Sequence, residues 1–285
     1  MRPELIVDIR IFCMPNIDIP SSGGIMEAKE EIRKKAFEMG ADDVGFASID
    51  DYKSPRSPDP KKTMPGVKSI VVLAYRQTDG GLDTDNMRVA MANRIGIIDY
   101  SKGQMYEMCR FIENRFRVKA AGVLFSYPLN LENPKAGVIG DVSIRHAAVA
   151  AGLGTFGLHN LVVHPRFGSR VAFTAILTEL PLKSDPPVKE RSCTDCGLCV
   201  DNCPGRALEK LGYTDEMKCL QVSQPFGIGP LIGYLRKFIG ASPDEQKQLL
   251  RDPVFLSLYQ ASFIGFQYNC FNCIAVCPLG NGGRR

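Results

Sequence analysis

Ten cysteines occur in the 285 residues, and their spacing implies a specific chemistry. The first run is Cys193-x2-Cys196-x2-Cys199-x3-Cys203-Pro204. A loop of that length folds three thiolates around one corner of an iron-sulfur cubane. The fourth cysteine precedes a proline, which has no N–H to continue the loop's hydrogen bonding, so it starts a new element and reaches a second cluster. Near the C-terminus, Cys270-x2-Cys273-x3-Cys277-Pro278 repeats the crossing pattern with one cysteine fewer. The seven motif cysteines fall one short of two sets of four, and of the remaining three only Cys219 lies between the runs, Cys13 and Cys109 being far upstream. By this count Cys219 is the eighth ligand. We expect one [4Fe-4S] cluster on Cys193, Cys196, Cys199 and Cys277, and a second on Cys203, Cys219, Cys270 and Cys273. Zinc is the alternative, since C-x2-C pairs also bind it, but a zinc site does not call for three regularly spaced cysteines plus a crossing Cys-Pro.

Composition narrows the setting. With 45% hydrophobic residues the chain can bury a sizeable core, in one large domain or two unequal ones. Thirty-five basic against 31 acidic residues leave +4, far from the concentrated positive charge of a non-specific nucleic-acid binder, so a nucleic-acid partner is not expected. The N-terminus places Glu4 and Asp8 among its apolar residues and carries no twin arginine, which argues for a cytoplasmic protein. In that compartment thiols stay reduced, which favours metal ligation over disulfides. The longest apolar stretch, Val254 to Phe266, is interrupted by Ser257, Gln260 and Ser262 and falls short of the roughly 20 residues that span a bilayer. No membrane association is expected.

The elements that must position these cysteines are legible in outline. Residues 1–24 end in Pro20-Ser-Ser-Gly-Gly24 and form an extension. Ile25, Ala28, Ile32, Ala36 and Met39 recur at helical spacing before Gly40. Apolar, β-rich runs at 44–49, 69–75, 122–127 and 171–177 alternate with helical stretches at 106–116 and 144–151, predicting an α/β or α+β body over 25–185. The proline-rich, charged segment 181–192 marks the boundary to a cluster-binding domain over 186–285. Within it, 221–268 is an insertion. Ile228, Leu231, Ile232, Leu235, Phe238 and Ile239 lie at helical spacing and Ser242-Pro-Asp-Glu245 forms a capping box, so two helices are predicted, serving as a shield for the clusters or as a lid or partner surface.

Gly152-x-Gly154-x-x-Gly157 has the spacing of a dinucleotide fingerprint, but with helix before and strand after, the reverse of the order that motif requires. Two readings remain: a helix C-cap, or a loop on which a flat cofactor lies.

Ala151-Gly-Leu-Gly-x-x-Gly157, the following Pro165-x-x-Gly168-Ser169, and the eight-cysteine layout with its isolated Cys219 together resemble the epoxyqueuosine reductase and reductive dehalogenase superfamily. The resemblance extends over residues 26–280 and includes 35–45, 64–71 and Asp99-Tyr100. It implies an α+β protein in which a nitroreductase-like, corrinoid-binding α/β domain precedes a ferredoxin-like domain with two [4Fe-4S] clusters. A cobalamin would sit between the glycine loop and the cluster domain, touching Gly152, Gly154, Gly157, Gly168 and Ser169. The chain departs from the family at Val138 and Ile144, which fall where epoxyqueuosine reductases carry a proton-donating Asp and a Glu. A three-residue gap would place Asp141 at the Asp position. The helical-repeat tail with which those enzymes grip tRNA is also missing from this sequence. Arg145, His146, Asp141 and Tyr100 remain as catalytic candidates: Arg145 for an anionic substrate or a corrinoid amide, the others as proton donors, with a structural role as the alternative for each. The expected function is an iron-sulfur oxidoreductase that takes single electrons from an external low-potential donor of the ferredoxin or flavodoxin type. It passes them through two clusters to a corrinoid that reduces a small substrate. A corrinoid-free electron-transfer protein and an epoxyqueuosine reductase acting in tRNA modification are the alternatives.

Overall fold

The computed structural model describes residues 22–123, 139–209, 212–264 and 269–280. Cys13, Val138 and nearly all of the expected extension lie outside them. In chain order the first elements are α1 (Ser22–Glu38), β1 (Asp43–Ser48), β2 (Ser69–Arg76), α2 (Asp79–Asp83), α3 (Met87–Phe116) and β3 (Ala120–Val123). They are followed by α4 (Ile144–Ala150), β4 (Thr155–Phe156), β5 (Val162–Val163) and β6 (Val171–Thr178). Four strands form an antiparallel sheet in the order β1-β2-β6-β3, and β4 pairs with β5 as a small ribbon. Because every neighbour in the sheet is antiparallel, the body is α+β.

The central strands β2 and β6 read as nearly unbroken apolar runs because both of their faces are covered. Val71, Leu73, Tyr75 and Ile176 face α1 and α3, and meet Ala28, Ile32 and Ala36 of the predicted helical stripe together with Met108 and Ile112. Ile70, Val72, Ala74, Ala175 and Leu177 face the other way, onto Ala147, Ala148 and Ala151 of the α4 region. Gly40, at φ +94°, ends the first helical segment as the sequence predicts.

α3 is longer than its periodicity suggests. It starts at Met87, capped by Asn86, whose side chain accepts from the N–H groups of Arg88 and Val89. Its first half lacks an apolar stripe because it borders a cavity instead of the core. The strand predicted at 122–127 appears as β3, shifted toward the N-terminus, and its remainder falls outside the described residues.

The cysteine-rich part contains α5 (Leu198–Asp201), α6 (Glu216–Ser223), α7 (Ile228–Ile239), α8 (Pro243–Leu249), α9 (Pro253–Tyr259), a π-helical turn (Gln260–Ile264) and α10 (Asn272–Ala275). The insertion holds three α-helices where two are predicted, because Asp252-Pro253 restarts the chain: the Asp252 carboxylate accepts from Val254 N–H and proline occupies the first turn. The capping box at Ser242 and Glu245 is formed. Tyr234, Leu249 and Leu258 give the insertion its own small core, and Asn269 N–H donates to Ser223 O at 2.7 Å across its base.

Gly168, Ser169 and Arg170 join the sheet to the second cysteine segment. A side chain at Gly168, φ +57°, would collide with the Leu279 carbonyl. Ser169 Oγ donates to Ile274 O at 3.1 Å. Arg170, only 1% exposed, donates to Asp79 (3.2 Å), Asp83 (2.7 Å) and Ala275 O (3.1 Å).

Candidate functional site

The fold gathers the cysteines into two groups. Cys193, Cys196, Cys199 and Cys277 line one small cavity together with His159. Burial, followed by proximity to Cys193, Cys277 and Cys196, raises the Cys199 thiol pKa. Burial pushes Cys273 up to about 12, with Cys270, Cys219, Cys199 and Cys203 as its charged neighbours, and Cys270 is raised by burial and then by Cys219 and Cys203. The second group is therefore Cys203, Cys219, Cys270 and Cys273. Cys199 and Cys273 are also neighbours, so the two groups lie side by side. Ala207 N–H donates to Cys203 Sγ at 3.3 Å, a bond of the kind that tunes cluster potentials. Two sets of four thiols suit two cubanes.

A larger cavity of about 470 Å³, within the range of small-molecule sites, opens where the end of β2 meets α2 and the first half of α3. Tyr75, Gln77, Leu82, Arg94, Tyr100 and Phe271 are among its walls. Phe271 sits between Cys270 and Cys273 in the chain and packs on Leu82 and Ala90, so the cavity shares a wall with the second cysteine group. Tyr75 and Tyr100 meet edge to face with centroids 5.8 Å apart. Tyr75 Oη and Thr174 Oγ1 lie near one another but out of hydrogen-bond geometry, and neither has another partner among the described residues. Burial holds the Tyr75 phenol well above the ordinary tyrosine range, so it keeps its proton. Arg94 Nη1 donates to Gln77 Oε1 at 2.9 Å.

The catalytic candidates do not converge. Tyr100 lines this cavity, half exposed, donating to Met39 O at 3.1 Å. Arg145 and His146 begin α4, on the other face of the sheet. Arg145 Nη1 donates to Asn160 O at 2.6 Å, and burial lowers its pKa. His146 Nδ1 shares a hydrogen bond with Ser143 Oγ at 2.7 Å, its ring lies 4.9 Å from that of Phe156, and burial followed by Arg145 lowers its pKa. Asp141 is exposed just before α4.

The glycines expected to touch a cofactor touch the chain itself. Side chains at Gly152 and Gly154 would strike the carbonyls of Pro186 and Val163, and one at Gly157 would come within 2.8 Å of the His159 ring. Gly168 and Ser169 abut the second cysteine segment. The spacing signals close backbone approach, and on the side where a side chain would project the neighbour of each glycine is protein. The sequence did not point to Tyr75, Gln77, Arg94 and Phe271. Of these only Phe271, between two motif cysteines, carried a usable signal.

The sequence model of the 4Fe-4S binding domain family matches residues 186–209. Among curated proteins, epoxyqueuosine reductase of Staphylococcus aureus (strain NCTC 8325 / PS 47) is 24% identical over 281 residues, covering 90% of this chain and 65% of that protein. Its Bacillus subtilis (strain 168) counterpart is equally similar, with the same coverage. Among solved structures, an epoxyqueuosine reductase with a tRNA-Tyr epoxyqueuosine-modified stem loop superposes with a TM-score of 0.58, at 21% identity, over 90% of this chain and 66% of that one. The chain resembles the epoxyqueuosine reductase and reductive dehalogenase superfamily in sequence and fold. Its reductive dehalogenase side is represented by a structure that suggests a mechanism for B12-dependent dehalogenation, with a TM-score of 0.54 and 19% identity, covering 72% of this chain and 30% of that one. The chain spans 65% of the length of the two curated superfamily members compared here. This chain carries a mixed α and β body joined to a cysteine-rich segment. Among the described residues no helix is long and apolar enough to cross a membrane.

Proposed function

We propose that the chain is an iron-sulfur oxidoreductase that accepts single electrons from an external low-potential donor of the ferredoxin or flavodoxin type and delivers them to a small substrate in the 470 Å³ cavity. The observation that carries this reading is Phe271, which is at once a wall of that cavity and the neighbour of two cysteines of the second group. Two [4Fe-4S] clusters held by the two cysteine groups, together with a cobalamin, would supply the one-electron chemistry. The apolar wall of Leu82, Ala90 and Phe271 excludes water. The Tyr75 phenol, protonated and without a settled partner, is placed to give a proton, and Tyr100 fixes its ring edge to face. Arg94 and Gln77 form a polar end that can orient a substrate.

Cobalamin binding is tested by optical titration of the anaerobically purified chain, in the wild type and in Tyr75→Trp, which adds bulk to one wall of the cavity. Binding to the wild type alone supports the reading. Binding to neither leaves the corrinoid-free electron carrier in its place. A second reading follows from the relative solved with a tRNA stem loop: a modified tRNA stem loop is the substrate, contrary to the expectation drawn from the +4 charge. Anaerobic turnover of an epoxyqueuosine-containing stem loop, measured beside small organohalides, separates the two substrates.

A further inference from the structure

His159 is a polar side chain at the first cysteine group that the proposed function does not use. It is 4% exposed and lines the cavity formed by Cys193, Cys196, Cys199 and Cys277. Its tautomer follows from its neighbours. Leu161 N–H donates to Nδ1 at 3.1 Å, so Nδ1 carries a lone pair and the ring proton sits on Nε2. Among the described residues Nε2 donates to no protein acceptor. With Nδ1 committed to the turn, the Nε2–H edge is the donor that the ring has left, in a side chain lining the cavity of the four thiols.

The third glycine of the motif explains how the ring reaches that position. Gly157 N–H donates to Leu161 O, and Asn160 N–H returns to Gly157 O, forming a tight turn with Asn160 at φ +55°. The His159 ring packs against the bare Cα of Gly157, where a side chain would come within 2.8 Å of Cε1. The glycine loop thus positions a histidine.

We propose that His159 Nε2–H donates a hydrogen bond to a sulfur of the cluster held by Cys193, Cys196, Cys199 and Cys277, and so raises that cluster's reduction potential relative to its partner's. Reduction adds negative charge to the sulfurs, and an N–H aimed at them stabilises the reduced state more than the oxidised one. His159 is a positioning and tuning residue, outside any substrate contact. The inference rests on that cysteine group holding a cluster.

The test uses the full chain, reconstituted anaerobically, with iron counted first and both clusters followed by EPR during potentiometric titration. His159→Leu is expected to shift one cluster to lower potential and leave the other in place, while His159→Gln, which retains a donor, recovers most of the shift. Both clusters titrating at wild-type potentials in His159→Leu would overturn the proposal. Because removing the ring could weaken cluster loading, the wild-type protein is also examined with ¹⁵N-labelled histidine. A nitrogen hyperfine coupling on one reduced cluster supports the bond, and its absence from both overturns it. A protein with fewer than two clusters contradicts the underlying reading, whereas two intact clusters without the coupling contradict this inference alone.

Discussion

Cys219 and Cys109 are both thiols in helical segments, yet their surroundings assign them different fates. Cys219 neighbours Cys270 and Cys273, whereas Cys109 lies in the core between α3 and the sheet, where burial pushes its thiol up to about 12 with Glu113 as its charged neighbour. Cys219→Ala should therefore lose about half of the reconstituted iron and one of two cluster EPR signals, and Cys109→Ala should keep both. Equal iron in the two variants would remove Cys219 from the ligand set. Arg170 carries a different burden: at 1% exposure it ties α2 to the Ala275 carbonyl, while its partners Asp79 and Asp83 stay within reach of solvent. Arg170→Met should lower the melting temperature by removing the donor that joins α2 to the second cysteine segment. The sequence made the cysteines legible because ligands of one cluster repeat within a few residues. The cavity wall was not legible, since Tyr75, Arg94 and Phe271 come from three distant segments and only the folded chain makes them adjacent.

Among the elements, agreement between sequence and structure follows local chemistry. The helix over Ile25–Met39, the two central strands and the capping box each depend on contacts within a few residues or on a simple apolar period. α3 departs from that pattern because its first half faces the cavity. The Gly152–Gly157 loop shows what spacing records: that something approaches the backbone, without recording what. Gly154→Val, expected from the motif to exclude a cofactor selectively, should instead disturb the β4–β5 ribbon, since the new side chain meets the Val163 carbonyl and Val162 Cγ1. We expect a loss of about 1–3 kcal/mol in thermal stability, with or without cobalamin. A variant as stable as the wild type but unable to bind cobalamin would return the loop to the cofactor. In the insertion, Ser242→Ala removes one arm of the capping box and should cost about 1 kcal/mol locally, seen as faster amide exchange in α8 with cluster spectra unchanged.

For the molecule as a whole, the two cysteine groups bring together eight thiols, the number that two [4Fe-4S] clusters require. Anaerobic reconstitution should therefore yield about eight irons and eight acid-labile sulfides per chain, and stoichiometric zinc in their place would sink the iron-sulfur reading. The base of the insertion has a consequence of its own. Ser223 and Asn269 meet through a backbone hydrogen bond, so the two ends of the intervening chain are already closed into a ring. Loop-closure entropy grows only slowly with loop length, and here the closing contact is held by the cluster-bearing segments. Cys219 and Cys270 then owe their separation to what lies below the ring. The helices above it behave as a cassette: replacing 225–267 by a short glycine-serine turn should leave the second cluster assembled, and the same junction is where a lineage could exchange one partner-facing module for another without rebuilding the redox centre.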